Sequence, residues 1–347
     1  MKNLFRRAGA VRIFLFPLML FFSGVVYSQA TPPSCLLALS KTGHTLAIVD
    51  PVSLNIIAKV PVGQDPHEVI ASSDGKTAYV TIYGGGAFHE INVIDLVAQK
   101  ALPTIDTRPL FGPHGIVFVN GKIWFSAEGS KAVGRYDVAS GKLDWSMGTG
   151  QERTHMIYVT NDEKKVYTTN ITSGTVSIIT DTLIQPARNA PANARPRQDW
   201  SQTIIPTARG SEGFDITPDG NELWTASSEN GTIIIIDLNA KKETGKLDAK
   251  VFGANRLKFT NDGKLAFIAS LQSGNLTVYD TKSRSLVKQI PIGKGAAGIQ
   301  MDPDGSRVFV ACSPDNYIAV IDLKTLAVTT KIDVGANPDG LAWATRK

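Results

Sequence analysis

Short apolar runs separated by turn signals recur along this chain, and the turns are regularly spaced. Over 293–322 an apolar run, Gly298-Ile299-Gln300-Met301, leads into the turn Asp302-Pro303-Asp304-Gly305, a second run at 307–311, a polar turn at 313–316 and a third run at 317–322. The same plan returns with Asp-Gly pairs at 74–75, 219–220, 262–263 and 304–305, and with Asn120-Gly121 and Asn161-Asp162 in the corresponding places. Such pairs tolerate the positive φ of tight hairpin turns. Third runs end at Asp50, Asp95, Asp137, Asp237, Asp280 and Asp322, and fourth runs end near Gly63, Gly293 and Gly335. Each unit therefore predicts a four-stranded antiparallel meander of about 42 residues, the length of a propeller blade.

Counting first strands gives seven, beginning near His67, His114, His155, Glu212, Asn255, Ala297 and Asp339. The last of these, over 339–344, has no second strand after it, while the run at 35–40 is a second strand with no first strand before it. Pairing the two completes a blade and leaves no open sheet edge. The pattern predicts an all-β, seven-bladed β-propeller, one domain over 31–347, closed by its C-terminal strand. An open sandwich would leave both terminal strands unpaired. One unit departs from the rest: a basic, proline-rich insertion at about 183–203 carries Pro186, Pro191, Pro196, Arg188, Arg195 and Arg197. It reads as a solvated, mobile loop leaving between third and fourth strands, on the face away from the starts of the first strands.

Tyr79-Val80-Thr81-Ile82, Val166-Tyr167-Thr168-Thr169-Asn170 and Val334-Gly335-Ala336-Asn337-Pro338-Asp339-Gly340 resemble the repeats of the YVTN family of β-propellers, a superfamily that is similar to the haem-binding propeller of periplasmic nitrite reductases. The resemblance spans nearly the whole chain after the leader. It implies the fold. For function it leaves surface-layer proteins, ligand binders and enzymes open.

The first thirty residues change the charge argument. Lys2, Arg6, Arg7 and Arg12 precede an apolar stretch at 13–22 and a small-x-small site, Ser28-Gln29-Ala30, which reads as a cleaved secretory signal peptide over 1–30. Pro17 interrupts the apolar stretch, which falls short of the roughly 20 residues needed to span a bilayer. Cys35 follows Pro32-Pro33-Ser34, which is no lipobox. The protein is thus expected in the periplasm or outside the cell, as a monomer without a membrane span. The leader holds four of the 36 basic residues and none of the 31 acidic ones, so the remainder is almost balanced and no nucleic-acid partner is expected. The two cysteines fall at opposite ends of their strands, Cys35 at a start and Cys312 at an end. A six-residue strand is about 20 Å long, so they should stay unpaired and buried.

Candidate chemistry follows from the register. Aligning the first strands on Val69, Ile116, Ile157, Phe214, Leu257, Ile299 and Leu341 places His67, His114, His155, Glu212, Asn255, Ala297 and Asp339 at one height, two positions earlier. Three of the five histidines thus share one level in consecutive units, with a glutamate next. His44 and His89 fall in turns between second and third strands, on the same face. Three imidazoles and a carboxylate converging on a narrow channel suit a divalent ion, Zn²⁺, Cu²⁺, Mn²⁺ or Fe²⁺, with His67, His114, His155 and Glu212 as ligands. Hydrogen bonding of each histidine to a neighbouring loop is the competing reading, and no linear metal motif is present. Arg153, Arg209 and Arg256 stand beside these positions and suit a carboxylate, phosphate or sulfate of the ligand, though loop salt bridges would also account for them. Gly84-Gly85-Gly86 sits in a hairpin turn and not in a phosphate loop, Gly210-Ser211-Glu212-Gly213 lacks the nucleophile-elbow pattern, and no Cys-x-x-Cys-His is present for covalent haem. Three functions remain open: a module binding a small acidic ligand, glycan, protein or haem at the channel mouth; a metal-dependent lyase or hydrolase, or a lactonase-like enzyme; and a structural envelope protein.

Overall fold

The computed structural model describes residues 29–191 and 193–346, so the expected leader, apart from its last two residues Gln29 and Ala30, lies outside the described residues. Seven four-stranded antiparallel sheets form the blades of a propeller. Their inner strands are Pro66–Ala71, Pro113–Val119, Thr154–Val159, Ser211–Ile216, Ala254–Phe259, Ala296–Met301 and Pro338–Thr345. We number the blades so that blade I contains both ends of the ring: Pro338–Thr345 pairs with Ser34–Ser40, followed by Thr45–Val49 and Ile56–Pro61. The blade with inner strand Pro66–Ala71 is blade II, and blade VII begins at Ala296–Met301. Among the described residues no helix is long and apolar enough to cross a membrane.

Second and third strands read as continuous apolar runs because each blade is packed on both faces. In Ser34–Ser40 and Thr45–Val49, Leu37, Leu39, Leu46 and Ile48 pack toward blade II with Val69, Val80 and Ile82, whereas Leu36, Ala38, Ala47 and Val49 pack toward blade VII with Phe309, Ala311 and Val320. Alternate residues of a strand point to opposite faces, so a strand between two neighbours needs apolar side chains at every position. The recurrent aspartate at the end of the third strand in six of the seven blades is a turn device. Asp50, Asp95, Asp137, Asp237, Asp280 and Asp322 accept hydrogen bonds from backbone N–H groups two or three residues on. Cys35 and Cys312 are both buried and unpaired, and burial raises their thiols to about 11 and about 12.

Two repeated irregularities build the end of the channel. The inner strand of every blade slips register at the same place, between Pro66 and Val69, Pro113 and Ile116, Thr154 and Ile157, Ser211 and Phe214, Ala254 and Leu257, Ala296 and Ile299, and Pro338 and Leu341. This β-bulge turns the residue before it out of the blade's packing face. Just upstream, the backbone of Asp65, Gly112, Arg153, Gly210, Gly253, Gly295 and Asn337 takes positive φ, and each carbonyl accepts a hydrogen bond from the residue following its blade's second strand. Glycine adopts that conformation freely, so Asp65 and Arg153 are held there against a preference.

The insertion differs from the expected loop. Strands Thr175–Ile184 and Arg197–Pro206 are both ten residues long and stay in register to Ile184 opposite Arg197, leaving only 185–196 as the tip. Trp200 anchors this longer hairpin, its ring 4.8 Å from that of Trp145, which lies 5.2 Å from Trp124. Thr175 is at the histidine end of its blade, since it pairs with Asn170 opposite Thr154, so the tip emerges on the other face as expected.

Candidate functional site

All seven register residues, one from each blade, line a single cavity of about 180 Å³ at the mouth of the channel. The three imidazoles form a tilted stack: the ring centroids of His67 and His114 are 4.6 Å apart with planes inclined by 56°, and those of His114 and His155 3.8 Å apart with planes inclined by 35°. Tyr83 closes one side, its ring 4.7 Å from His67 and 5.1 Å from His114. His114 and His155 are 1% and 3% exposed. Blade VII contributes Ala297, whose small side chain keeps the space open.

Around the stack runs a chain of charges of alternating sign. Glu68 bonds Arg256 across the channel from blade II to blade VI, and Arg256 Nη1 stands 3.3 Å from Glu212 Oε1. The same Glu212 oxygen lies 3.3 Å from His155 Nε2, off hydrogen-bond alignment, while His155 Nδ1 donates to Glu128 Oε2 at 2.8 Å. Glu128 also accepts from Tyr83 at 2.7 Å and from Arg153 Nε at 2.8 Å. On the other side of the stack, Lys41 Nζ and Asp65 Oδ1 both meet His67 Nε2, at 2.8 and 3.0 Å, and Lys41 reaches Asp339 at 3.5 Å.

These partners drive two like residues apart in charge. Burial favours neutral imidazole in His155, but the hydrogen bond and charge of Glu128 and the charge of Glu212 outweigh it and raise its pKa. His114 is lowered well below the ordinary histidine value, first by burial and then by the positive charge of His155, His67, Arg256 and Lys41. Burial alone would raise Glu128, yet the bonds from His155, Tyr83 and Arg153 bring it down to about 2. Burial raises Tyr83 and Asp339, the latter against the pull of His67, Lys41 and Arg256.

No protein-family model matches the chain, and no curated protein matches it in sequence. Solved structures do. A functionally unknown protein from Desulfotomaculum acetoxidans superposes with a TM-score of 0.71 at 14% identity, covering 90% of this chain and 99% of its own. A candidate 6-phosphogluconolactonase from Bacteroides fragilis gives 0.69 at 16%, covering 91% and 99%. A dihydro-heme d1 dehydrogenase in complex with DHE gives 0.63 at 13%, covering 88% of this chain and 65% of that one. What they share with this chain is the propeller fold.

The sequence-predicted residues are brought together with one exception. Arg153 and Arg256 line the cavity, but Arg209 does not: its side chain is 66% exposed and stands 3.6 Å from Glu229. Its carbonyl serves the turn of blade V, so the side chain is directed outward. His44 and His89 occupy the predicted turns, and His89 pairs with Asp106 at 3.1 Å. Register reasoning missed Lys41, Tyr83 and Glu128, although each is the residue that follows its blade's second strand, a second ring legible by the same alignment. Glu68, immediately after His67, is turned across the channel by the bulge.

The histidines converge, but the ring nitrogens of His155 and Nε2 of His67 are committed elsewhere, while His114 Nδ1 has no partner among the described residues. Both nitrogens of His155 face carboxylates and His67 Nε2 meets an ammonium group. Among the described residues no group of three or more His, Cys, Asp or Glu is placed to hold a metal ion. The arrangement does not fit the expected metal centre. A wider cleft of about 780 Å³ on the opposite face, between blades VI and VII, is lined by turn aspartates that already accept local hydrogen bonds.

Proposed function

We propose that the protein is a ligand-binding propeller that takes a small acidic molecule, a carboxylate or phosphate, at the mouth of its channel. One observation carries the reading. Lys41 and Arg256 on the cavity wall are each met by opposite charge from within the protein, whereas Arg153 uses only Nε, leaving both terminal nitrogens without a partner among the described residues. Beside it in the same cavity stands His114, whose Nδ1 also lacks one. A guanidinium fork binds carboxylate or phosphate through paired hydrogen bonds, and a buried polar atom without a partner is unfavourable until something supplies one. The cavity of about 180 Å³ is smaller than the roughly 300–1,000 Å³ that encloses drug-sized ligands, which favours a small metabolite over a haem or glycan chain. With the leader read as an export signal, binding takes place outside the cytoplasm.

Calorimetric titration of the purified protein with small carboxylates and phosphate esters tests this. At least one should bind with one-to-one stoichiometry. Arg153→Met should weaken it tenfold or more, while Arg209→Met, His44→Ala and His89→Ala change it little. Uptake of no anion, or equal weakening by Arg209→Met, would overturn the reading in favour of a purely structural channel.

A further inference from the structure

We propose that the acid bound in this cavity is a short-chain amino acid, held by its carboxylate on Arg153 and by its ammonium group between Asp339 and Glu212. The inference rests on the binding reading above and narrows it to acids that carry a positive charge of their own. Its foundation is the set of polar atoms that the cavity leaves unused. Besides the Arg153 fork and His114 Nδ1, these are carboxylate oxygens. Asp339 lines the cavity with its side chain 9% exposed and takes no hydrogen bond among the described residues, Lys41 Nζ standing at 3.5 Å and His67 Nδ1 at 3.8 Å. Glu212 spends Oε1 on both Arg256 and His155 and leaves Oε2 without a hydrogen bond among the described residues. A buried carboxylate is costly until its oxygens are hydrogen-bonded. An ammonium group, which donates and never accepts, suits them.

The balance of charge points the same way. Five carboxylates meet at the mouth: Glu212 and Asp339 on the cavity wall, and Asp65, Glu68 and Glu128 bonded to groups that line it. The permanent cations of the wall are three, Lys41, Arg153 and Arg256. A simple anion would add to the majority charge in a place where little water screens it. An amino acid adds no net charge and sets each of its poles against the opposite sign.

Arg153 is kept for its side chain. Its backbone holds a φ of 56° at a place where Gly112, Gly210, Gly253 and Gly295 serve four other blades, so the conformation itself gives no reason for an arginine. Arg153 and Glu212 stand near enough for their charges to act on one another, yet form no ion pair among the described residues. The gap between them is left for a ligand. Tyr83 and the histidine stack wall one side and Ala297 another, in about 180 Å³. That space suits a short side chain and not a peptide.

Calorimetry on the processed protein with matched probes tests this: glycine, alanine and valine against acetate, propionate and isovalerate, with ethylamine as the amine alone. At least one amino acid should bind at least tenfold more tightly than its des-amino partner, and ethylamine should bind more weakly than either. Glu212→Gln and Asp339→Asn should each narrow that ratio at least fivefold while leaving the des-amino acid's affinity within twofold. Arg153→Met should weaken both. Asp339 stands in the closing strand, so Glu212→Gln, in another blade, keeps the test open where Asp339→Asn does not fold. If an acid binds in an Arg153-dependent way and its amino counterpart binds no better, the amino-acid inference is wrong and the binding reading stands. If the ratio survives both variants, Asp339 and Glu212 do not hold the ammonium group and the inference is again wrong. If ethylamine matches the amino acid and Arg153→Met changes nothing, both readings fail. If none of these probes binds, the inference fails and the phosphate esters of the preceding titration decide the binding reading.

Discussion

At the scale of single residues, the site is a lesson in how neighbours set charge. His114 and His155 occupy the same register position one blade apart and differ because Glu128 reaches one of them. The consequence for stability can be signed. The depressed pKa of His114 means that the unfolded chain binds the extra proton below about pH 6.5, the ordinary histidine value, so stability falls as pH drops below that value. The raised pKa of His155 acts on the other flank: its stabilisation is complete below about pH 6.5 and is lost as pH rises through its folded value. Urea unfolding across pH 5–8.5 should therefore show a maximum between two limbs. His114→Asn should flatten the acid limb and leave the alkaline one. Glu128, held down to about 2, begins to contribute acid sensitivity only below this window.

At the scale of elements, the repeated bulge and the left-handed residue before it aim the site, and the hairpins on the other face are free to vary. The long hairpin of blade IV illustrates the second point. Its strand extensions keep ten paired positions and its tip at 185–196 lies at the far end of the blade from the histidines. Replacing that tip by a two-residue turn should leave anion affinity in calorimetry within a few-fold. A loss of tenfold or more would mean that the tip reaches the mouth of the channel. Here the proline-rich composition announced a loop, while the paired strands around it were hidden by polar residues such as Gln198, Asp199 and Gln202, which belong to an outer strand that needs little apolar surface.

At the scale of the whole molecule, closure is the device on which everything else depends. Pro338–Thr345 pairs with Ser34–Ser40 over five positions from Ser34 opposite Thr345 to Ala38 opposite Leu341, and it also brings Asp339 to the cavity. Truncation after Gly335 removes this strand, uncovers the edge of Ser34–Ser40 and exposes Leu36, Leu37 and Leu39, which are fully buried. The shortened protein should aggregate or be cleaved rapidly in limited proteolysis. A monomeric product with unchanged melting temperature would show that the ring does not need this seam.

The sequence by itself determined the blade count, the closing strand, the inner-strand positions to within a residue and the level at which seven side chains meet, because those depend on local patterns that repeat: turn residues, apolar runs and their spacing. It also placed three histidines, Glu212, Arg153 and Arg256 together. It did not determine what they are to one another. Alternation alone would have put His67 on the same face as Val69, and only the bulge, a property of paired backbones, turns it into the channel. The bond of Glu68 to Arg256 joins residues 188 positions apart, and the grip of Glu128 on His155 joins a turn of one blade to the inner strand of the next. Charge state is decided by such through-space neighbours and by burial, neither of which is a local property of the chain. For that reason a cluster that reads in one dimension as metal ligands is, in three, a set in which His155, His67 and Glu212 already face charged partners and only His114 stands unpaired.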